Sequence, residues 1–315
     1  KMRGPWLLLN LVTAFVAGAV VGLYQDTIDQ IVLLAMFLPI LAGQSGNTGA
    51  QALAVLIREM TLGDVGTKIA KQLAKESVKI TAGRVPVIIH VSTPGTDQAV
   101  DLARHAEKNG ANCVMALPPY YWKPPQEGIY EHFAAIMSAC ELPFIAYNSP
   151  LFMDGVGVST ETLVRLLKRF PQFIGMKDAS HNWEVYLELG RASQKIKSDF
   201  GLFVGTEWVI PSLTLGGNSC MSIFGGIAPR FVQSLYRATI DGNLKLALEL
   251  QYKYSELWQI AKVEYPAPTK AMWEIMGRPV GNPRLPQRPV SAEKRKHLEV
   301  TLDNLGFLDS EPHGW

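Results

Sequence analysis

The sequence predicts an α/β protein, a parallel sheet covered by helices, with a two-helix transmembrane-like hairpin ahead of it. Three observations lead there. Charge is distributed unevenly: of the first 64 residues only Lys1, Arg3, Asp26, Asp29, Arg58, Glu59 and Asp64 are charged, whereas 18% of the whole 315-residue chain is. After Gly83 short apolar runs alternate with amphipathic segments. Beyond Pro229 the pattern is helical throughout, with breaks only near 266–268 and 279–289. The formal net charge of +2 gives no reason to expect nucleic acid. Cys113, Cys140 and Cys220 are too few and too scattered for a disulfide framework or a zinc site.

Two uncharged runs make up the hairpin, Gly4–Gln25 and Gln30–Ile57. At ~1.5 Å per residue the first reaches ~33 Å as a helix, enough to cross a hydrocarbon core of ~30 Å. No small-residue cleavage site followed by soluble sequence marks it as a signal peptide. Lys1 and Arg3 lie before the first run, and Arg58, Lys68, Lys71 and Lys75 after the second. The positive-inside rule therefore puts both ends in the cytoplasm. RGPWLLLNLVTAF and LPILAGQSGNTGAQALAVLIREMTLGDV resemble the first two transmembrane helices of MgtE-type magnesium channels. That family's ion-binding helix has no counterpart here, and Asn47, Thr48 and Gln51 read as a polar seam between helices.

Six strands follow in order: Val85–Val91, Cys113–Leu117, Pro143–Asn148, Phe173–Asp178, Gly201–Gly205 and Ser219–Ile223. Their apolar runs are continuous, as expected of strands buried on both faces, and helical patterns such as TDQAVDLARHAEKNG and STETLVRLLKRF separate them. Such units close either as a doubly wound sheet or as a (β/α)8 barrel. No glycine-rich phosphate loop opens any of the helices.

Chemistry in these folds sits at the carboxyl ends of the strands. Those positions hold Tyr120, Tyr121, Tyr147, Lys177, Thr206 and Glu207. Lys177 ends the run Phe173–Met176 and shares strand parity with Gly175. An inward lysine there is expected to be desolvated, with its amine available for Schiff-base chemistry. Tyr147 ends the preceding strand and should lie beside it, where a phenol can shuttle protons. On position alone, a surface lysine capping its strand and an ordinary packing tyrosine are the better fit, because strand-end lysines are common.

PPYYWKPPQEGIYEHF, LPFIAYNSP and FIGMKDAS, in that order and spacing, resemble the dihydrodipicolinate synthase/N-acetylneuraminate lyase family, from about Lys75 to Leu308. The resemblance implies a class I aldolase-type barrel acting on pyruvate or a related 2-keto acid, without metal or organic cofactor. It implies Lys177 as the Schiff-base lysine and Tyr147 as the proton shuttle. Tyr121 corresponds to an aromatic lent across a subunit interface, and a homotetramer is the family's assembly. Substrate contacts are expected from Gly205, Thr206, Glu207 and Ser222. Where dihydrodipicolinate synthases carry an arginine for the distal carboxylate of the second substrate, this chain has Phe152. The Asp-Glu pair of sialic-acid lyases reads Glu207-Trp208.

The family's first two strand–helix units and their GTTGE-like carboxylate loop are missing, with residues 1–64 standing in their place. The expected chain is therefore an N-terminally truncated (β/α)8 barrel of about six units. Its parts are a hairpin at 1–65, a partial barrel at 66–242 and a C-terminal helical region at 243–315. The function expected by resemblance is a 2-keto-acid lyase, aldolase or hydro-lyase, impaired by the missing loop. The alternative is a membrane-anchored or magnesium-transport-related protein with a non-catalytic soluble part, or a gene fusion without function. Residues 4–57 would hold the catalytic-type part at the cytoplasmic face of a membrane; without a true hairpin the chain would be cytoplasmic.

Overall fold

Among the described residues six parallel strands form one sheet in sequential order, each hydrogen-bonded to its neighbours in the chain. The computed structural model describes residues 65–81, 83–205 and 208–314. The chain divides into two compact units, 1–68 and 69–315, and the fold described here is that of the second.

Helix α1 (Val65–Thr81) leads into β1 (Ile88–His90). Then follow α2 (Thr96–Lys108), β2 (Cys113–Ala116), α3 (Gln126–Ala139), β3 (Phe144–Asn148), α4 (Thr160–Arg169) and β4 (Phe173–Asp178). The sheet ends with α5 (Trp183–Gln194), β5 (Gly201–Gly205), α6 (Val209–Thr214) and β6 (Ser219–Met221). A 3-10 turn (Ile223–Gly226) precedes α7 (Pro229–Ile240), α8 (Leu244–Ala261), α9 (Ala267–Ile275), α10 (Ala292–Asn304) and α11 (Phe307–Ser310). All six expected strands are present, and β4 and β5 have the expected bounds. The outer two are shorter, three residues each instead of seven and five. An edge strand keeps strand geometry only where its single neighbour supplies partners, and among the described residues β1 pairs with β2 alone and β6 with β5 alone. The result is a curled half-barrel.

The transmembrane hairpin expected over 1–65, with its membrane contact through 4–57, lies outside the described residues. No helix among the described residues is long and apolar enough to cross a membrane.

Strand alternation sorts side chains into two layers. On the convex side, α2–α5 pack against the sheet. There Phe133, Phe144, Phe173 and Phe200 form a ladder with ring centroids 5.4, 5.7 and 5.2 Å apart, each ring essentially sealed from solvent. Burying each phenylalanine contributes about 1.5–3 kcal/mol, and each tilted pair adds about 0.5–1.5 kcal/mol. The ladder fixes the amino ends of β3, β4 and β5 and thus sets the height of their carboxyl ends. Side-chain caps start several helices: Ser159 on α4, Asn182 on α5, Asn243 on α8 and Ser291 on α10 each accept a backbone N–H. On the concave side Cys113, Met115 and Ile145 gather with Tyr147, Ile174, Phe203 and Met221.

A second core joins α6 and the 3-10 turn to the C-terminal helices through Phe224, Phe231, Tyr254, Leu257, Met272, Leu298 and Phe307. The last residues strap this half together. Glu311, buried, accepts the N–H groups of Arg230 and Phe231 at 2.9 and 2.6 Å and so caps α7. Arg278, also buried, donates to the carbonyls of Gly226, Pro312 and Gly314 and so ties the 3-10 turn to the tail.

Candidate active site

Parallel register between β3 and β4 places Tyr147 opposite Lys177 and Asn148 opposite Asp178. Adjacent strands were expected to bring the tyrosine and lysine together, and they do. Lys177 Nζ stands 3.9 Å from the centroid of the Tyr147 ring, over its face. The nitrogen thereby lies against the negative face of the ring quadrupole. Gly205, at the end of β5, makes room for it: a Cβ there would lie 3.2 Å from Lys177 Cε and 3.2 Å from Ala179 Cβ. Gly205 is therefore needed for its lack of a side chain, as the clearance through which the lysine reaches upward.

Behind the pair lies a sealed polar staple. Asn148 Nδ2 donates to Asp178 Oδ1 at 2.6 Å, and Asn148 Oδ1 accepts the N–H of Val158 at 3.0 Å. Asp178 Oδ2 accepts from both the N–H and the hydroxyl of Ser180, at 3.1 and 2.7 Å. Burial holds the Asp178 carboxyl above its usual range even though these donors favour the carboxylate.

His90 presents its ring edge-on to Tyr147, centroids 6.0 Å apart, and bonds Ser92 Oγ at 3.2 Å. It ends an edge strand and stays solvent-accessible. The protein atoms crowding its ring and, secondarily, the charge of Lys177 still lower its pKa to about 4, so the imidazole is neutral at pH 7.

A cavity of about 700 Å³ opens above the pair. Tyr147, Lys177, Ala179 and Gly205 line its base, and Phe152, Trp208, Trp258 and Tyr265 form much of its wall. Trp208 Nε1 is buried and makes no hydrogen bond. The wall residues Trp258, Gln259, Lys262 and Tyr265 belong to the end of α8 and the segment after it. They were not expected at the site, because no strand-end rule points to a helix more than eighty residues downstream of the lysine.

The remaining expected site residues are placed as follows. Thr206 and Glu207 lie outside the described residues. Ser222 is not among the cavity residues: its hydroxyl bonds Tyr254 OH at 2.5 Å and accepts the N–H of Phe224 at 3.1 Å. Its neighbours Met221 and Ile223 face the cavity instead. Tyr121 is not brought to the lysine within this chain. It is 85% exposed, at φ 84°, edge-on to Trp122 at 5.2 Å. With Trp122, Lys123, Phe152 and Asp154 it lines a smaller cavity of about 290 Å³.

A strand-end lysine over a tyrosine face, at the mouth of a curled parallel sheet, defines the class: an aldolase-type α/β barrel protein. The family model for the dihydrodipicolinate synthetase family matches residues 64–305, and the chain belongs to that family. It is 34% identical over 227 residues to the 4-hydroxy-tetrahydrodipicolinate synthase of Archaeoglobus fulgidus, covering 71% of this chain and 77% of that protein. It is 35% identical over 243 residues to the enzyme of the same name from Leptothrix cholodnii, covering 75% and 80%. The crystal structure of dihydrodipicolinate synthase from Thermotoga maritima superposes with a TM-score of 0.71 at 31% identity, covering 76% of this chain and 81% of that one. The family match begins at residue 64 and leaves the apolar stretch before it outside. Membrane association and the likeness to magnesium channels therefore have support neither from the described fold nor from these matches.

Proposed function

We propose that this chain forms a Schiff base between Lys177 and pyruvate or a related 2-keto acid, and uses it for aldol-type or hydro-lyase chemistry. The observation that carries this reading is the placement of Lys177 Nζ 3.9 Å over the Tyr147 ring at the base of a large cavity. The neutral amine adds to the C2 carbonyl, the oxygen leaves as water, and an imine remains. Loss of a C3 proton turns the imine into an enamine, which attacks the carbonyl carbon of a second substrate. Hydrolysis then returns the lysine. Tyr147 is the proton carrier within reach, since its ring adjoins the amine and its phenol borders the cavity. The names of the curated relatives agree with chemistry of this kind.

Tyr121 fits a role in an assembly: its exposure, with Trp122 at 78% and Phe152 at 65%, gives an aromatic surface suited to a second copy of the chain. Nothing in the site or in the matches supports the expected impairment, the transport-related alternative or a functionless fusion. Borohydride reduction in the presence of pyruvate tests the proposal. Mass spectrometry should find the adduct on Lys177, and none in Lys177→Met. Label on another lysine, or none at all in the wild type, overturns it.

A further inference from the structure

We infer that Lys262 receives the remote acid group of the second substrate, which makes that substrate a carbonyl compound with an aromatic or hydrocarbon body and a carboxylate at its far end. This rests on the Schiff-base reading of Lys177 and extends it to the other end of the same cavity. Lys262 caps the C-terminus of α8, its N–H bonded to Trp258 O at 2.8 Å, so its side chain and that of Trp258, four residues earlier, share one helix face. Both line the cavity that Lys177 enters from below. Among the described residues the Lys262 ammonium makes no ion pair or hydrogen bond. The carboxylate nearest in sequence, Glu264, is bound to Lys294 at 2.9 Å. The described residues lining the cavity include two lysines and no carboxylate.

Size and wall chemistry define the rest of the substrate. A cavity of about 700 Å³ far exceeds a three-carbon keto acid and falls in the range that holds drug-sized ligands. Its sides are Trp208, Trp258, Tyr265 and Phe152. Flat aromatic walls offer stacking faces for an aromatic or hydrocarbon body. The position where the resemblance expects an arginine holds Phe152 here, and Lys262 supplies a cation elsewhere in the cavity lining.

The isosteric pair 4-carboxybenzaldehyde and benzaldehyde tests this. Binding is read by quenching of tryptophan fluorescence, which needs no turnover, for wild type, Lys262→Met and Lys262→Arg. A hydrogen-bonded charge pair predicts tighter binding of the carboxylated aldehyde by about tenfold or more in the wild type. The preference should vanish in Lys262→Met and return in Lys262→Arg. A wild type that binds both aldehydes equally, or binds neither, overturns the inference. So does a preference that survives in Lys262→Met, including the case where that variant only melts earlier because the lysine serves the end of α8. Failure of the Schiff-base reading is separate: pyruvate would not label Lys177 whatever the fluorescence shows.

Discussion

Asn148 and Asp178 stand one residue beyond Tyr147 and Lys177 on the same two strands, and their 2.6 Å hydrogen bond clamps the register that puts the lysine over the ring. Asn148→Ala would leave an Asp178 oxygen without its donor and the Val158 N–H without its acceptor. Buried orphans cost about 1–3 kcal/mol each, so urea denaturation should show a loss of that order, with slower formation of the pyruvate adduct. Gly205→Ala crowds the amine directly. Its Cβ would lie 3.2 Å from both Lys177 Cε and Ala179 Cβ, so the lysine and the strand end must each give by a few tenths of an ångström, at a modest cost in stability. Displacing the amine should slow adduct formation about ten- to hundredfold, since reacting atoms tolerate little misplacement. Lys177 and Tyr147 could be found from sequence because apolar runs mark them as strand ends and because LPFIAYNSP and FIGMKDAS around them resemble the family's motifs. Lys262, Trp258 and Tyr265 could not be, since their approach depends on how the C-terminal helices fold back over the strand ends. Ser222 stood at the right strand end, but Tyr254 and the 3-10 turn take its hydroxyl.

Helix α3 carries a titratable group into the convex core. His132 is 1% exposed, its Nδ1 lies 2.9 Å from Thr96 Oγ1 on α2, and its Nε2 has no partner. Burial lowers its pKa from 6.5 to about 4. The sign follows from linkage: between those values the unfolded chain binds the proton and the folded chain does not, so stability falls as pH drops from about 6.5 to about 4. The contribution lost is at most roughly 3 kcal/mol. His132→Gln should flatten that part of the stability–pH curve, read by denaturation at pH 7, 5.5 and 4. Most elements were legible because the strands are continuous apolar runs and the helices are punctuated by caps and prolines. The edge strands were read too long: Val85 and Pro86 precede the first bond to β2, which the carbonyl of Val87 makes, and Ser222 and Ile223 pass into the 3-10 turn that the Ser222 hydroxyl caps.

At the scale of the molecule, the sequential order β1 to β6 was legible from strand–helix alternation. The C-terminal strap acts over the longest sequence distance. Removing residues 306–315 would strip α7 of its Glu311 cap and Arg278 of two carbonyl partners, although none of these residues lines the cavity. The truncated chain should lose several kcal/mol by denaturation and lose adduct formation with it, whereas Glu311→Gln, which keeps one acceptor, should lose about half as much. The strap also sets an order in time. A ribosome delivers the lysine and tyrosine early, yet the turn holding Ile223 against the cavity is tied down through Arg278 to carbonyls at 312 and 314. A nascent chain still missing residues 312–314 carries both reactive side chains beneath an unfastened wall, so a finished cavity arrives only once those carbonyls emerge.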